Sequence, residues 1–413
     1  MTTTLTKTDI NSPLIVNQPE IELLLGCART QVDEQTQVRI KNLVEQEIDW
    51  NYLISIAKRH GLIPLLFYNL NKLCRKTVPQ PIFLDLEQHF KIHTRRSLIL
   101  TNELLQILDI FKANNISAIP FKGSTLAISA YKSLALRQFC DLDILIDQQD
   151  INHCLELLTS IGYSLPKIIG ELEQKPYIKN YLFLESDSCQ KGYDLIHETK
   201  NIAIDLQWSL TEKRKSKYFA IDLQNLKNNL TYITIGGRQI PQFSNEYMFL
   251  FLCFHGSKHC WQSLRWICDV AEFIQAHPDL DWQKIEVQAK KLKCQTMLWL
   301  TLLLVSDLLA TPLPNDVLVK MQTKHRAYLL AQKVYKLVFS RNFTQWEDYL
   351  FIFSITDSWQ GKYQFITSLL FTPTAKEWKF LQLPNSLSFL YYFIRPFRLI
   401  KEYLEASSSF LVK

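Results

Sequence analysis

ISAIPFKGSTLAISAYKSLALRQFCDLDILID, residues 116–147, carries the reading of the whole chain. Its apolar opening, Ile116 to Phe121, meets a turn at Lys122-Gly123-Ser124 and passes into helical periodicity. A glycine at a strand-to-helix turn lets the backbone approach a ligand, and free amides with the Ser124 hydroxyl suit phosphate oxygens. Lys122, Gly123 and Ser124 are therefore a candidate triphosphate cradle, although a Gly-Ser turn before a helix also serves as plain capping. The stretch closes on Asp141-Leu142-Asp143-Ile144-Leu145-Ile146. A strand repeats every two residues, so Asp141 and Asp143 share a face while Leu142 and Ile144 enter a core. An arbitrary Asp-x-Asp is a solvated strand face, but the apolar run here marks a central strand. Two unpaired acids on such a strand call for a ligand, and a divalent cation fits. Arg137, just before the strand, reaches the same phosphates or pairs with a carboxylate.

Working outward, residues 148–162 read as a helix and a charged, irregular region follows. Gly192 to Glu198, the turn at Thr199-Lys200-Asn201, and Ile202 to Trp208 then form a β-hairpin. Asp205 stands alone as an acid in its apolar strand. With the hairpin beside the Asp141 strand, Asp205 completes a three-carboxylate site for two metal ions, one on an acceptor oxygen and one on phosphates. Asp194, His197 and Glu198 sit at a strand end and turn, where polar residues are ordinary.

Composition bounds the alternatives. A chain of 413 residues, 47% hydrophobic and 21% charged, buries a large core and excludes a disordered scaffold. The net charge of +6 is modest and speaks against a long nucleic-acid track. Nine cysteines without CxxC spacing, and an N-terminus without an apolar signal region, point to the cytoplasm. The most apolar run, Met297 to Ala310, is short of the roughly 20 residues of a spanning helix and reads as a buried helix.

With these residues in place the chain resembles the nucleotidyltransferases of the DNA polymerase β type. That superfamily carries a Gly-Ser turn after a strand, an Asp-x-Asp strand, and a third Asp on a later strand; Gly123-Ser124, Asp141/Asp143 and Asp205 match in order. It is similar in more detail to a bacterial branch with a KG turn, an arginine before the acidic strand, and an HG-x-KH-x-W motif, here His255-Gly256-Ser257-Lys258-His259-Cys260-Trp261. The resemblance implies an α+β fold: a small mixed sheet flanked by helices, with helical N- and C-terminal regions. It also implies Mg2+-dependent transfer, with Mn2+ as a substitute, of a nucleoside monophosphate from an NTP to an acceptor, either a small molecule or a protein. The expected division is a flexible N-terminus (1–18), an N-terminal helical region (19–96), the nucleotidyltransferase domain (97–235) and a C-terminal helical domain (236–413). Two other classes stay open: a glycosyltransferase using the Asp-x-Asp for a nucleotide sugar, and a non-catalytic nucleotide-binding protein of this fold.

The flanks add helices. Pro19-Glu20 opens one, Asp49 caps a second, and a long helical pattern runs from Pro81 to Asn115. The spacing predicts one continuous helix from Ser244 through the histidine motif to Ala276, with His255 and His259 on one face. That pair lacks a third zinc ligand of recognisable spacing, so packing or phosphate contacts explain it better. Lys258 and Arg265 suit phosphates, and Arg265 with Asp269 also fits an ordinary i,i+4 pair. Trp282 to Leu309 reads as a helix, and YYFIRPFRLIK (residues 391–401) as an aromatic, basic segment interrupted by Pro396.

Overall fold

The computed structural model describes residues 18–165, 191–210, 223–339, 345–372, 377 and 380–411. The flexible start expected at residues 1–18 lies outside them except for Gln18, and the irregular region expected across residues 166–190 lies outside them. The chain is α+β, as the sequence implies, with one small mixed sheet among helices.

Four short helices open the chain: α1 (Pro19–Cys27), α2 (Glu34–Val44), α3 (Trp50–His60) and α4 (Ile63–Leu73). Asp49 caps α3 by accepting from the Tyr52 N–H at 2.9 Å. Helix α5 (Gln80–Ala113) then runs unbroken for 34 residues, so the expected boundary at residues 96/97 falls inside one helix. Phe83 and Leu86 near its start join the core of α1–α4, while Leu100, Leu104, Ile107 and Phe111 lie under the sheet.

The sheet has the order β1-β2-β4-β3, built from β1 (Ile119–Pro120), β2 (Asp141–Leu145), β3 (Gly192–His197) and β4 (Ile202–Gln207). Strand β1 is antiparallel to β2, β2 is parallel to β4, and β3 and β4 are the expected hairpin. Only two residues of the apolar run from Ile116 form a ladder, since Pro120 has no N–H to donate. Helices α6 (Gly123–Ser129) and α7 (Ile151–Ser160) flank β2. One sheet face buries Leu142, Ile144, Leu195, Ile204 and Leu206 against α5 and against Cys154 and Leu158 of α7.

After α8 (Leu223–Asn228) and the hairpin of β5 (Leu230–Ile235) and β6 (Arg238–Phe243), the rest of the described chain is helical. The single helix expected from Ser244 to Ala276 is two, α9 (Asn245–Lys258) and α10 (Leu264–Ala276). Cys260 and Trp261 adopt left-handed φ values of 52° and 54°, which turn the chain between them. Such conformations cost about 1–2 kcal/mol each for non-glycine residues, and the Trp261 side chain, fully buried, offsets them. Ser244 stands at the N-cap of α9 but its hydroxyl accepts no cap bond. The stretch from Trp282 likewise divides, at Lys293 (φ 56°), into α11 (Trp282–Lys291) and the buried α12 (Gln295–Leu309). Helices α13 (Asn315–Met321), α14 (His325–Phe339), α15 (Gln345–Ile355), α16 (Trp359–Phe371) and α17 (Tyr391–Leu411) follow. No described helix is long and apolar enough to cross a membrane.

Candidate active site

The face of the sheet turned away from α5 is acidic. In the parallel pairing of β2 with β4, Asp143 lies directly beside Asp205, and in the hairpin Asp205 lies opposite Asp194. Residues facing each other in register project to the same side. Asp143, Asp205 and Asp194 therefore form a row across three strands, with Asp141 two residues along on β2. The three acids singled out in the sequence come together here. Asp194, set aside in the sequence as a strand-end residue, joins them. The hairpin loop Glu198-Thr199-Lys200-Asn201 joins His197 to Ile202, a cross-strand pair, and counting back from it sets Asp194 opposite Asp205, so the signal was present.

Two lysines partner this row. Lys122 Nζ lies 2.6 Å from Asp143 Oδ1, and Lys191 Nζ lies 2.8 Å from Asp205 Oδ2. Gln207, buried on the same face, donates from Nε2 to Asp205 and, at 3.5 Å, to Asp143 Oδ1, so one amide ties both acids. Four carboxylates thus meet two directly paired ammonium groups. The imbalance appears in the titration: desolvation, then the charge of Asp143, pushes the Asp141 carboxyl above its ordinary range against the pull of Lys122. Desolvation and Asp205 push Asp194 the same way, against Lys191. Among the described residues no group of three or more His, Cys, Asp or Glu side chains is gathered as a metal shell.

The hairpin is fixed from behind. Lys200 at its turn reaches Glu103 of α5 at 2.8 Å, Tyr163 donates to the same carboxylate at 3.0 Å, and Arg96 donates to the Asn201 carbonyl. The position of Asp205 thus depends on α5.

The glycine turn sits against the head of β2. Gly123 has φ +49°, and a Cβ there would lie 3.5 Å from the Asp141 carbonyl oxygen. Ser124 differs from expectation: its hydroxyl is fully buried and pairs with Thr101 Oγ1 at 2.8 Å. Arg137 is also buried, and the structure selects its carboxylate alternative. Its Nε and Nη2 reach Asp269 at 2.7 and 2.9 Å, and Nη1 donates to the Gly123 carbonyl at 3.4 Å. Tyr131 donates to Asp269 as well, at 2.8 Å. Asp269 therefore pairs across the fold with Arg137, and Arg265 instead donates to the Gln138 carbonyl at 3.2 Å.

The histidine motif lies within electrostatic reach of Lys122 in the turn. Desolvation first, then the charges of Lys122, His259, Lys258 and Arg137, hold the His255 imidazole well below its usual range, so it is neutral. Its ring meets that of His259 edge-on at 4.9 Å, and His259 stacks on Trp266 at 5.0 Å, an aromatic packing arrangement. Lys258 ends α9 beside them. Gly256 is required by packing: a Cβ there would lie 2.3 Å from the Trp261 ring. Alanine gains about 1 kcal/mol of helix propensity, but forcing the buried indole aside costs more. Against an overpacking cost of about 1–3 kcal/mol that gain leaves Gly256→Ala up to about 2 kcal/mol less stable net. A chemical-denaturation midpoint equal to wild type would remove this account.

A cavity of about 610 Å³ between α1, α2 and α12, lined by Glu22, Arg29, Asp307 and Tyr335 among others, shares no residue with the acidic face.

With this geometry in hand, comparison with known families is decisive on one point. The model of a family described as uncharacterised nucleotidyltransferases matches residues 46–310. The chain belongs to this family. The match takes in the glycine turn, all four acids, Arg137, Asp269 and the histidine motif. No curated protein and no solved structure matches the chain.

Proposed function

We infer that the acidic face moves a nucleoside monophosphate from an NTP to an acceptor hydroxyl or phosphate, releasing pyrophosphate. The observation that carries this reading is the β2/β4 register, which sets Asp143 beside Asp205 with Asp141 on the same face and Gly123 against its backbone. The order of turn, Asp-x-Asp strand and third Asp supports a reaction of the polymerase β type.

The donor set fits Mg2+ or Mn2+. Its ligands are hard carboxylate oxygens, and the excess of acids over directly paired lysines is relieved by a divalent ion. Asp141 and Asp143 would hold ions on the phosphate side, and Asp205 on the acceptor side. An ion held there would supply charge neutralisation on the phosphates and would favour loss of the acceptor hydroxyl proton. Lys122 then turns from Asp143 to a phosphate oxygen, Lys258 assists from the end of α9, and Gln207 keeps Asp143 and Asp205 side by side. Arg137 acts through Gly123, fixing the turn.

The test is pyrophosphate release from each of the four NTPs with Mg2+ across sugar, phosphate and protein acceptors, with nucleotide binding followed by calorimetry. Release that chelator stops is the expected result. Binding of nucleotide sugars in place of NTPs, or turnover indifferent to chelator, would overturn the reading.

A further inference from the structure

Half of the large apolar side chains exposed by the described surface, twelve of twenty-four, lie between Trp359 and Ile400. They form two stripes. On α16, Trp359 (83% exposed), Tyr363 (70%) and Ile366 recur at i, i+4 and i+7; on α17, Phe393, Phe397 (75%) and Ile400 repeat the spacing. The two helices pack against each other.

The other side of α17 buries charge as well as Tyr391 and Leu399. Arg395 and Arg398 point inward and are buried around Glu377, itself fully buried, and Arg398 also pairs with Glu402. The buried side thus mixes two arginines with Tyr391 and Leu399, while Phe393, Phe397 and Ile400 face outward. An exposed apolar surface of this extent marks an interaction site.

Its charge identifies the partner. Residues 358–411 hold six Lys and Arg against three acids; Arg395 and Arg398 are ion-paired to Glu377 and Glu402, which leaves four lysines to one further acid. Lys362 Nζ lies 5.3 Å above the Trp359 ring and Lys401 Nζ 5.6 Å above Phe380, so lysines rim the apolar stripes. Trp, Tyr and Phe with a basic rim, on helices neither long nor apolar enough to span, is the composition of a surface lying in the interface of an anionic bilayer. The family match ends at residue 310, so this surface is separate from the segment shared with the family.

We propose that α16 and α17 seat the protein on an anionic lipid surface, with Trp359, Phe393 and Phe397 entering the headgroup layer and the lysines meeting lipid phosphates. The proposal is independent of the chemistry at the acidic face. The test is cosedimentation of the full chain with vesicles of phosphatidylcholine alone or with about 30% phosphatidylserine. Binding to the anionic vesicles, weakened by salt, is expected. Phe393→Glu/Phe397→Glu should weaken it at least tenfold with no change in thermal melting, since both side chains are exposed. Three outcomes overturn the proposal: no sedimentation with either vesicle, equal sedimentation of the variant, or a wild-type dimer without vesicle binding that the variant converts to monomer, which would assign the surface to a second copy.

Discussion

Asp143→Asn should reduce the proposed nucleotidyl transfer by about a thousandfold or more, the equivalent of roughly 4 kcal/mol of lost transition-state stabilisation, while the chain stays folded. The amide keeps the shape of the carboxylate and can still accept from Lys122, now 2.6 Å from Oδ1, and from Gln207. What disappears is the charge at an acid that touches both Lys122 and the Gln207 amide shared with Asp205. A second readout separates charge from shape. The Asp143 charge is the second cause, after desolvation, of the raised titration of Asp141. In the variant that contribution is gone, so the Asp141 carboxyl titrates at lower pH, visible by carboxyl carbon NMR. Full turnover in Asp143→Asn would remove the proposed chemistry, and an unshifted Asp141 would remove the electrostatic account of the face.

Asp269→Ala should cost about 3–5 kcal/mol of folding stability, the penalty for leaving a buried guanidinium without its partner. Arginine has no neutral form to retreat to, and desolvation already opposes the Arg137 charge that Asp269 sustains. Tyr131 loses its acceptor in the same substitution. Replacing both charges, Arg137→Met with Asp269→Leu, should recover much of the loss, because burying two apolar side chains avoids the desolvation of the ion pair. The check is a double-mutant cycle of Arg137→Met, Asp269→Leu and the two together, read by denaturant unfolding. A single variant as stable as wild type, or a double variant losing the sum of both singles, would show that the pair is not coupled as described.

The parts legible in the sequence are those governed by local rules. Period-two alternation gave the shared face of Asp141 and Asp143, turn chemistry gave the hairpin, and the Asp49 cap followed from side-chain identity. The illegible parts are decided by tertiary packing. Nothing in the periodicity of residues 245–276 announces a break, and no glycine or proline stands within the break itself, residues 259–263. Burial of the Trp261 indole against Gly256 forces two left-handed residues that a local reading would not choose. The partner of Arg137 lies 132 residues away, and an i,i+4 neighbour offered a simpler local match for Asp269. Gln207 and Lys191 are ordinary strand-flanking residues until the register of β4 is known.

Helix α5 has a consequence for dissecting the molecule. At about 1.5 Å per residue its 34 residues make a rod roughly 50 Å long. One end is gripped by the opening bundle, and the other carries the sheet and, through Glu103, the tip of the hairpin. Trimming the chain down to its carboxylate-bearing centre would strip the packing from one end of that rod and leave its apolar flank wet. The opening bundle is therefore a foundation, and a minimal catalytic fragment has to begin before it.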